Sequence, residues 1–131
     1  PGSAHTREDR AVAYRALYWT AAHLLRYTDI VILNGGFGYR VDRDACQLLA
    51  RQSGANLYLA EFAAPLPVLL ERNRARRAHH PGLDLTDARV TEIFRTYPWS
   101  GSGIRIDGAA PVAASVEQVR SYLDTPGTPS L

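Results

Sequence analysis

The chain has no lysine: all fifteen of its basic residues are arginine, in a sequence of 131 residues with a formal charge of +2. That absence removes the Schiff-base lysine, the lysine general base and the lysine of a phosphate-binding loop from the available chemistry. Cysteine is nearly absent as well. Cys46 is alone, at an inward-looking position of a helical pattern, so no internal disulfide can form and a reducing, cytoplasmic setting is the expectation. No apolar run approaches the roughly 18 residues of a membrane span, and no secretory signal is visible, so a membrane is not expected as a partner. No G-x-S-x-G occurs, which leaves a Ser/His/Asp triad without its nucleophile elbow.

The stretch from Asp29 to Arg43 organises what is present: Asp29-Ile-Val-Ile-Leu-Asn34-Gly-Gly-Phe-Gly38-Tyr-Arg-Val-Asp-Arg43. Four consecutive apolar residues, Ile30 to Leu33, are too few for a helix and read as a fully buried strand. A glycine-rich turn follows, and a helical period begins at Val41. In an open α/β sheet, ligands bind outside the carboxyl ends of the strands, which makes Asn34 to Arg40 the default place for chemistry.

Around this stretch the patterns alternate. Tyr14, Leu17, Tyr18, Ala21, Leu24 and Leu25 mark one amphipathic helix over Arg7 to Tyr27, with Trp19 and His23 read as packing residues. Val41, Ala45, Leu48 and Leu49 mark a second, stopped at Gly54. Asn56 to Phe62 is the next strand. Pro65 and Pro67 open a third helix that ends in the basic run Arg72, Arg74, Arg76, Arg77, His79 and His80. A fourth helix, capped within Asp84 to Asp87, carries Val90, Ile93, Phe94 and Tyr97. Ile104 to Asp107 is a short third strand, and Ser115 with Gln118 gives a capping box for the last helix. Strands alternating with helices predict an α/β fold: a three-layer parallel sheet reduced to about three strands, with helices on both faces. Three strands are few for a parallel sheet, so a partner chain or a second copy is expected to complete it. Pro1-Gly2-Ser3 reads as an expression-tag remnant, 4–124 as one domain, and 125–131 as a flexible tail.

Several patterns suggest chemistry and have plainer readings beside them. Gly36-Phe-Gly38 could begin a dinucleotide fingerprint with Glu61 as the ribose acid, but Val41 stands at the third glycine; a turn needing glycine conformations is simpler. The arginines from Arg72 to Arg77 could clamp a phosphate through bidentate pairs, or could be a solvated helix end favoured by the dipole. No aromatic residues interleave that run, so nucleic acid is not expected. Adjacent histidines generally point apart, so His79, His80, Asp84 and Asp87 are not assigned a metal, and no cofactor is expected. No catalytic residue is singled out.

Taken together, the order of these pieces resembles the P-loop small-molecule and polynucleotide kinase-like family, of zeta-toxin and chloramphenicol-phosphotransferase type. The counterparts are Ile30-Val-Ile-Leu-Asn34-Gly-Gly-Phe37, Arg43 in Val41-Asp-Arg-Asp44, Ala64-Pro65, Leu69-Leu-Glu-Arg-Asn-Arg-Ala-Arg76-Arg77, Leu85-Thr-Asp-Ala88 and Ile104-Arg-Ile-Asp107. The family's G-x-x-x-x-G-K-[ST] loop has no counterpart here, and Asn34 stands where the family has an acid that organises Mg²⁺. The resemblance implies a truncated or P-loop-less kinase-like domain that binds or acts on an anionic or phosphorylated small molecule without ATP hydrolysis. Asn34, Phe37, Tyr39, Arg40 and Arg43 would line the substrate pocket, and Arg72, Arg76 and Arg77 would form an anion-binding lid. It equally allows a non-catalytic accessory subunit, or a fragment of an ATP-dependent phosphotransferase. A homodimer is expected, with the aromatic first helix meeting its twin across a two-fold.

Overall fold

The computed structural model describes residues 6–79, 85–97 and 99–125. Five helices and two strands follow in the order α1 (Arg7–Leu24), α2 (Arg40–Ser53), β1 (Ala60–Ala63), α3 (Leu66–His79), α4 (Asp87–Thr96), β2 (Ile104–Asp107) and α5 (Val112–Leu123). The fold is α/β with a parallel sheet. The described residues form two compact units that divide between Leu57 and Tyr58. His80, Asp84 and the end of the tail lie outside the described residues.

In the first unit α1 packs against α2. Its start is a capping box: the Thr6 hydroxyl accepts from the Asp9 amide while the Asp9 carboxylate accepts from the Thr6 amide. Tyr14 and Tyr18 meet edge to face, and Ala21 is buried. On α2 the buried residues are Cys46 and Ala50, and Gly54 ends the helix in the left-handed conformation, φ 65°. Trp19 and His23 do not pack inward as expected. They stack on each other on the outer face of α1, Trp19 being 73% exposed.

The strand expected from Ile30 to Leu33 is not formed. The segment runs without ladder bonds among the described residues, and Ile30 and Ile32 are 72% and 87% exposed. An apolar run specifies a strand only when a neighbouring strand supplies its hydrogen bonds, and the sheet has two strands instead of three.

In the second unit β1 and β2 pair in parallel, Phe62 opposite Ile106. The pairing extends beyond the strands through the amides of Ile104 and Gly108, which donate to the carbonyls of Leu59 and Ala63. Gly103 allows this start: its φ is +70°, and a Cβ there would lie 2.0 Å from the Leu59 oxygen. Register neighbours share a face of the sheet, yet Ile106 is fully buried while Phe62 is 65% exposed. Helix α5 packs against β2, and α3 packs against α4. Helix α5 begins at Val112 after Pro111, so Ser115, expected as its cap, sits buried in the first turns. Helix α4 is capped by Thr86, whose hydroxyl accepts from the Arg89 amide.

Candidate functional sites

The glycine turn of the first unit is held by two arginines. The Arg10 guanidinium reaches from α1 to the Gly36 carbonyl, and also contacts the Tyr14 hydroxyl at 3.2 Å and the Asp42 carboxylate at 3.4 Å. Arg43, from the first turn of α2, donates to the Phe37 and Gly38 carbonyls at 2.9 and 3.0 Å. Three successive carbonyls are therefore fastened, one by a residue of α1 and two by a residue of α2. Phe37 packs its ring edge-on to Tyr14, and Arg10 lies over the rings of Tyr14 and Tyr39.

This geometry changes the meaning of the glycines. Gly35, Gly36 and Gly38 do not adopt positive φ, so the turn does not depend on glycine's conformational freedom. At Gly35 the requirement is space: a Cβ would sit 3.1 Å from the Tyr14 hydroxyl and 3.3 Å from the Phe37 ring.

Of the expected pocket residues, Phe37, Tyr39 and Arg43 are gathered around this turn, with Phe37 and Arg43 half-buried. Asn34 is exposed, and Arg40 forms an exposed pair with Asp44 at 3.6 Å. Arg10, absent from the sequence candidates, is the central cation. Its signal was Arg10, Tyr14 and Tyr18 at successive four-residue steps, one edge of the α1 stripe.

Behind the turn, Tyr18 donates to the Asp42 carbonyl at 3.1 Å. Burial raises the Tyr18 hydroxyl well above the ordinary tyrosine range and raises the Cys46 thiol as well. For both groups burial favours the protonated form.

In the second unit the arginines of α3 are divided among partners. Arg72 donates to the Gly108 carbonyl at 2.6 Å and so ties α3 to the turn after β2. Arg74 and Arg77 converge on the two oxygens of Asp87, each at 2.7 Å, which fastens α3 to the start of α4. The hydrogen bond from Arg74 is the main cause holding the Asp87 carboxyl below its usual range, helped by the charges of Arg74 and Arg77. Asn73 adds a bond to the Leu85 carbonyl at 2.9 Å. Arg76 is exposed, with no partner among the described residues. The expected lid of Arg72, Arg76 and Arg77 thus separates: Arg77 joins Arg74 in fastening the helical hairpin, Arg72 is tied to Gly108, and Arg76 stays exposed.

Arg72 also borders a cavity of about 540 Å³ formed with Phe62, Gly108, Val116, Val119 and Arg120. Its walls are apolar, and its charged lining residues are both arginines. On the other side of the sheet, Glu61 is not available as a ribose acid. Its carboxylate accepts from the Ser100 amide at 3.1 Å and from the Ser100 hydroxyl, pinning the loop that leads into β2. Among the described residues no group of His, Cys, Asp and Glu is placed to hold a metal, and no helix is long and apolar enough to cross a membrane.

No family model matches the chain, and neither a curated protein nor a solved structure shows significant similarity to it.

Proposed function

We propose that this is a kinase-derived domain of the P-loop small-molecule kinase type, binding or acting on an anionic small molecule, above all a phosphorylated one, without hydrolysing ATP. The observation that carries this reading is the arginine-flanked apolar cavity of the second unit. One donor of Arg72 is engaged by the Gly108 carbonyl, which leaves the remainder of its planar fork for an anion's oxygens. Arg120 adds a second positive group, and Phe62, Val116 and Val119 offer an apolar wall to the body of the ligand. The absence of lysine and the amide at Asn34 support chemistry without ATP.

Phenyl phosphate, with one ring and one phosphate, is the direct probe. Isothermal titration is expected to give binding at submillimolar concentration, with Arg72→Ala and Arg120→Ala each weakening it about tenfold. ATP–Mg is expected not to bind at micromolar concentration. Unchanged affinity in both variants, or micromolar ATP–Mg binding, overturns the proposal.

A second reading is a non-catalytic subunit that completes its sheet with a partner chain. It is favoured by the two-stranded parallel sheet and by Phe62, exposed on the same face as the buried Ile106. Under it, phenyl phosphate does not bind.

A further inference from the structure

The outer face of α1 carries a seam with the spacing of a coiled coil. Asp9, Val12, Ala16, Trp19, His23 and Arg26 follow one another at steps of 3, 4, 3, 4 and 3, the last in the turn that closes the helix. Such alternation keeps one narrow stripe along a helix. It is a different stripe from the one that meets α2, where Tyr14, Leu17 and Tyr18 are half-buried and Ala21 is buried. Along the seam Val12 is 56% exposed and Trp19 is 73% exposed, and Ala16 and His23 are open as well. Trp19 and His23 stack with ring planes 9° apart, and His23 continues onto Tyr27, so the seam ends in a preformed aromatic ridge.

The spacing reads the same from either end. Turned end for end on a two-fold axis between Leu17 and Tyr18, the seam places Ala16 opposite the second copy's Trp19 and Val12 opposite its His23. Asp9 then faces Arg26. The large ring of one chain meets the smallest seam residue of the other, and an acid meets a base at both ends. A parallel pairing would instead set Asp9 against Asp9, Trp19 against Trp19 and Arg26 against Arg26. We propose that α1 is a self-association surface on which a second copy of this chain docks antiparallel, through the Asp9–Arg26 seam. The two-fold makes the contact isologous and self-limiting, so a dimer forms in place of a filament. This surface is independent of the cavity at Arg72, and its test does not depend on any ligand.

Sedimentation equilibrium over micromolar to millimolar protein is expected to show reversible conversion from the 14.4 kDa chain to twice that mass. Trp19→Ala removes the central anchor and is expected to raise the dissociation constant about thirtyfold or more, with helical circular dichroism unchanged because Trp19 is exposed. Ala16→Arg, which fills the space of the opposing ring, is expected to abolish the dimer. Arg26→Glu is expected to weaken it, and added salt to weaken it further in the unaltered chain, because the end pairs are of opposite charge. A monomer at every concentration overturns the proposal, as does a dimer indifferent to both Trp19→Ala and Ala16→Arg. A dimer that salt strengthens overturns the antiparallel register.

Discussion

The paired arginines of the two units differ in their main acceptors. In the first, Arg10 and Arg43 donate their hydrogen bonds to the backbone carbonyls of Gly36, Phe37 and Gly38. In the second, Arg74 and Arg77 give theirs to one carboxylate, Asp87. Carbonyl oxygens do not titrate in the accessible range, so the Arg43 half of the first fastening needs no ionised partner, whereas Arg10 also meets the Asp42 carboxylate. The first fastening fixes a turn that has no side chain at Gly35, Gly36 or Gly38 with which to fix itself. The second fastening joins two helices through charge, and it is strongest while Asp87 is ionised. Arginines in a sequence therefore say little about ligands until their acceptors are known: one pair shapes a loop, another closes a helical hairpin.

The largest expected effect tests whether the second unit depends on backbone geometry more than on its charges. Gly103→Ala places a Cβ against the Leu59 carbonyl at a left-handed φ and is expected to cost about 3 kcal/mol or more. Urea unfolding should show the loss, and amide exchange should place it at Ile104, whose amide donates to Leu59. If the variant is as stable as the parent, the close approach at the start of β2 is not what holds the pairing.

A smaller effect is expected from Arg43→Ala, which removes two hydrogen bonds to half-shielded carbonyls. Charged donors of this kind contribute roughly 1.5–3 kcal/mol, and solvent access brings the expectation to about 2 kcal/mol. The change should be confined to the first unit, seen as faster amide exchange through the glycine turn at unaltered exchange in β1 and β2. An equal disturbance in both units would erase the contrast between them.

The smallest effect is the one that pH reveals. The folded Asp87 carboxyl titrates below its unfolded value of about 3.9. Its contribution is therefore complete above that value and is lost as pH falls through the folded pKa. Helices α3 and α4 are expected to lose protection from exchange in that acid window while the turn clamped by Arg43 retains it, and Asp87→Asn should abolish the difference. A parallel loss at both places would mean that the Arg43 bonds also depend on an ionised partner.

Much of the local structure was legible because local rules set it. Gly54 ends α2 in the left-handed conformation that glycine adopts without penalty, and Ile104 to Asp107 forms β2 over the expected span. The last helix was misplaced because two local signals competed. Ser115 with Gln118 resembles a capping box, but Pro111, with its fixed φ, starts the helix earlier. The failure at Ile30 to Leu33 was of another kind. The residues suit a strand, but a strand needs neighbours, and no four-residue pattern reports whether one is present.

The candidate sites divide along the same line. By itself the sequence determined which chemistry is available: arginine without lysine, one cysteine, an amide at position 34, and a glycine turn between an apolar run and a helix. It also determined the two periodic stripes of α1, because helical geometry projects fixed spacings onto fixed faces. Only the tertiary structure decided where each cation points. Arg10 is 26 residues from the Gly36 carbonyl that it holds, and Arg72 is 36 residues from Gly108. A guanidinium on a long flexible stem can reach many acceptors, and packing of distant segments selects one of them.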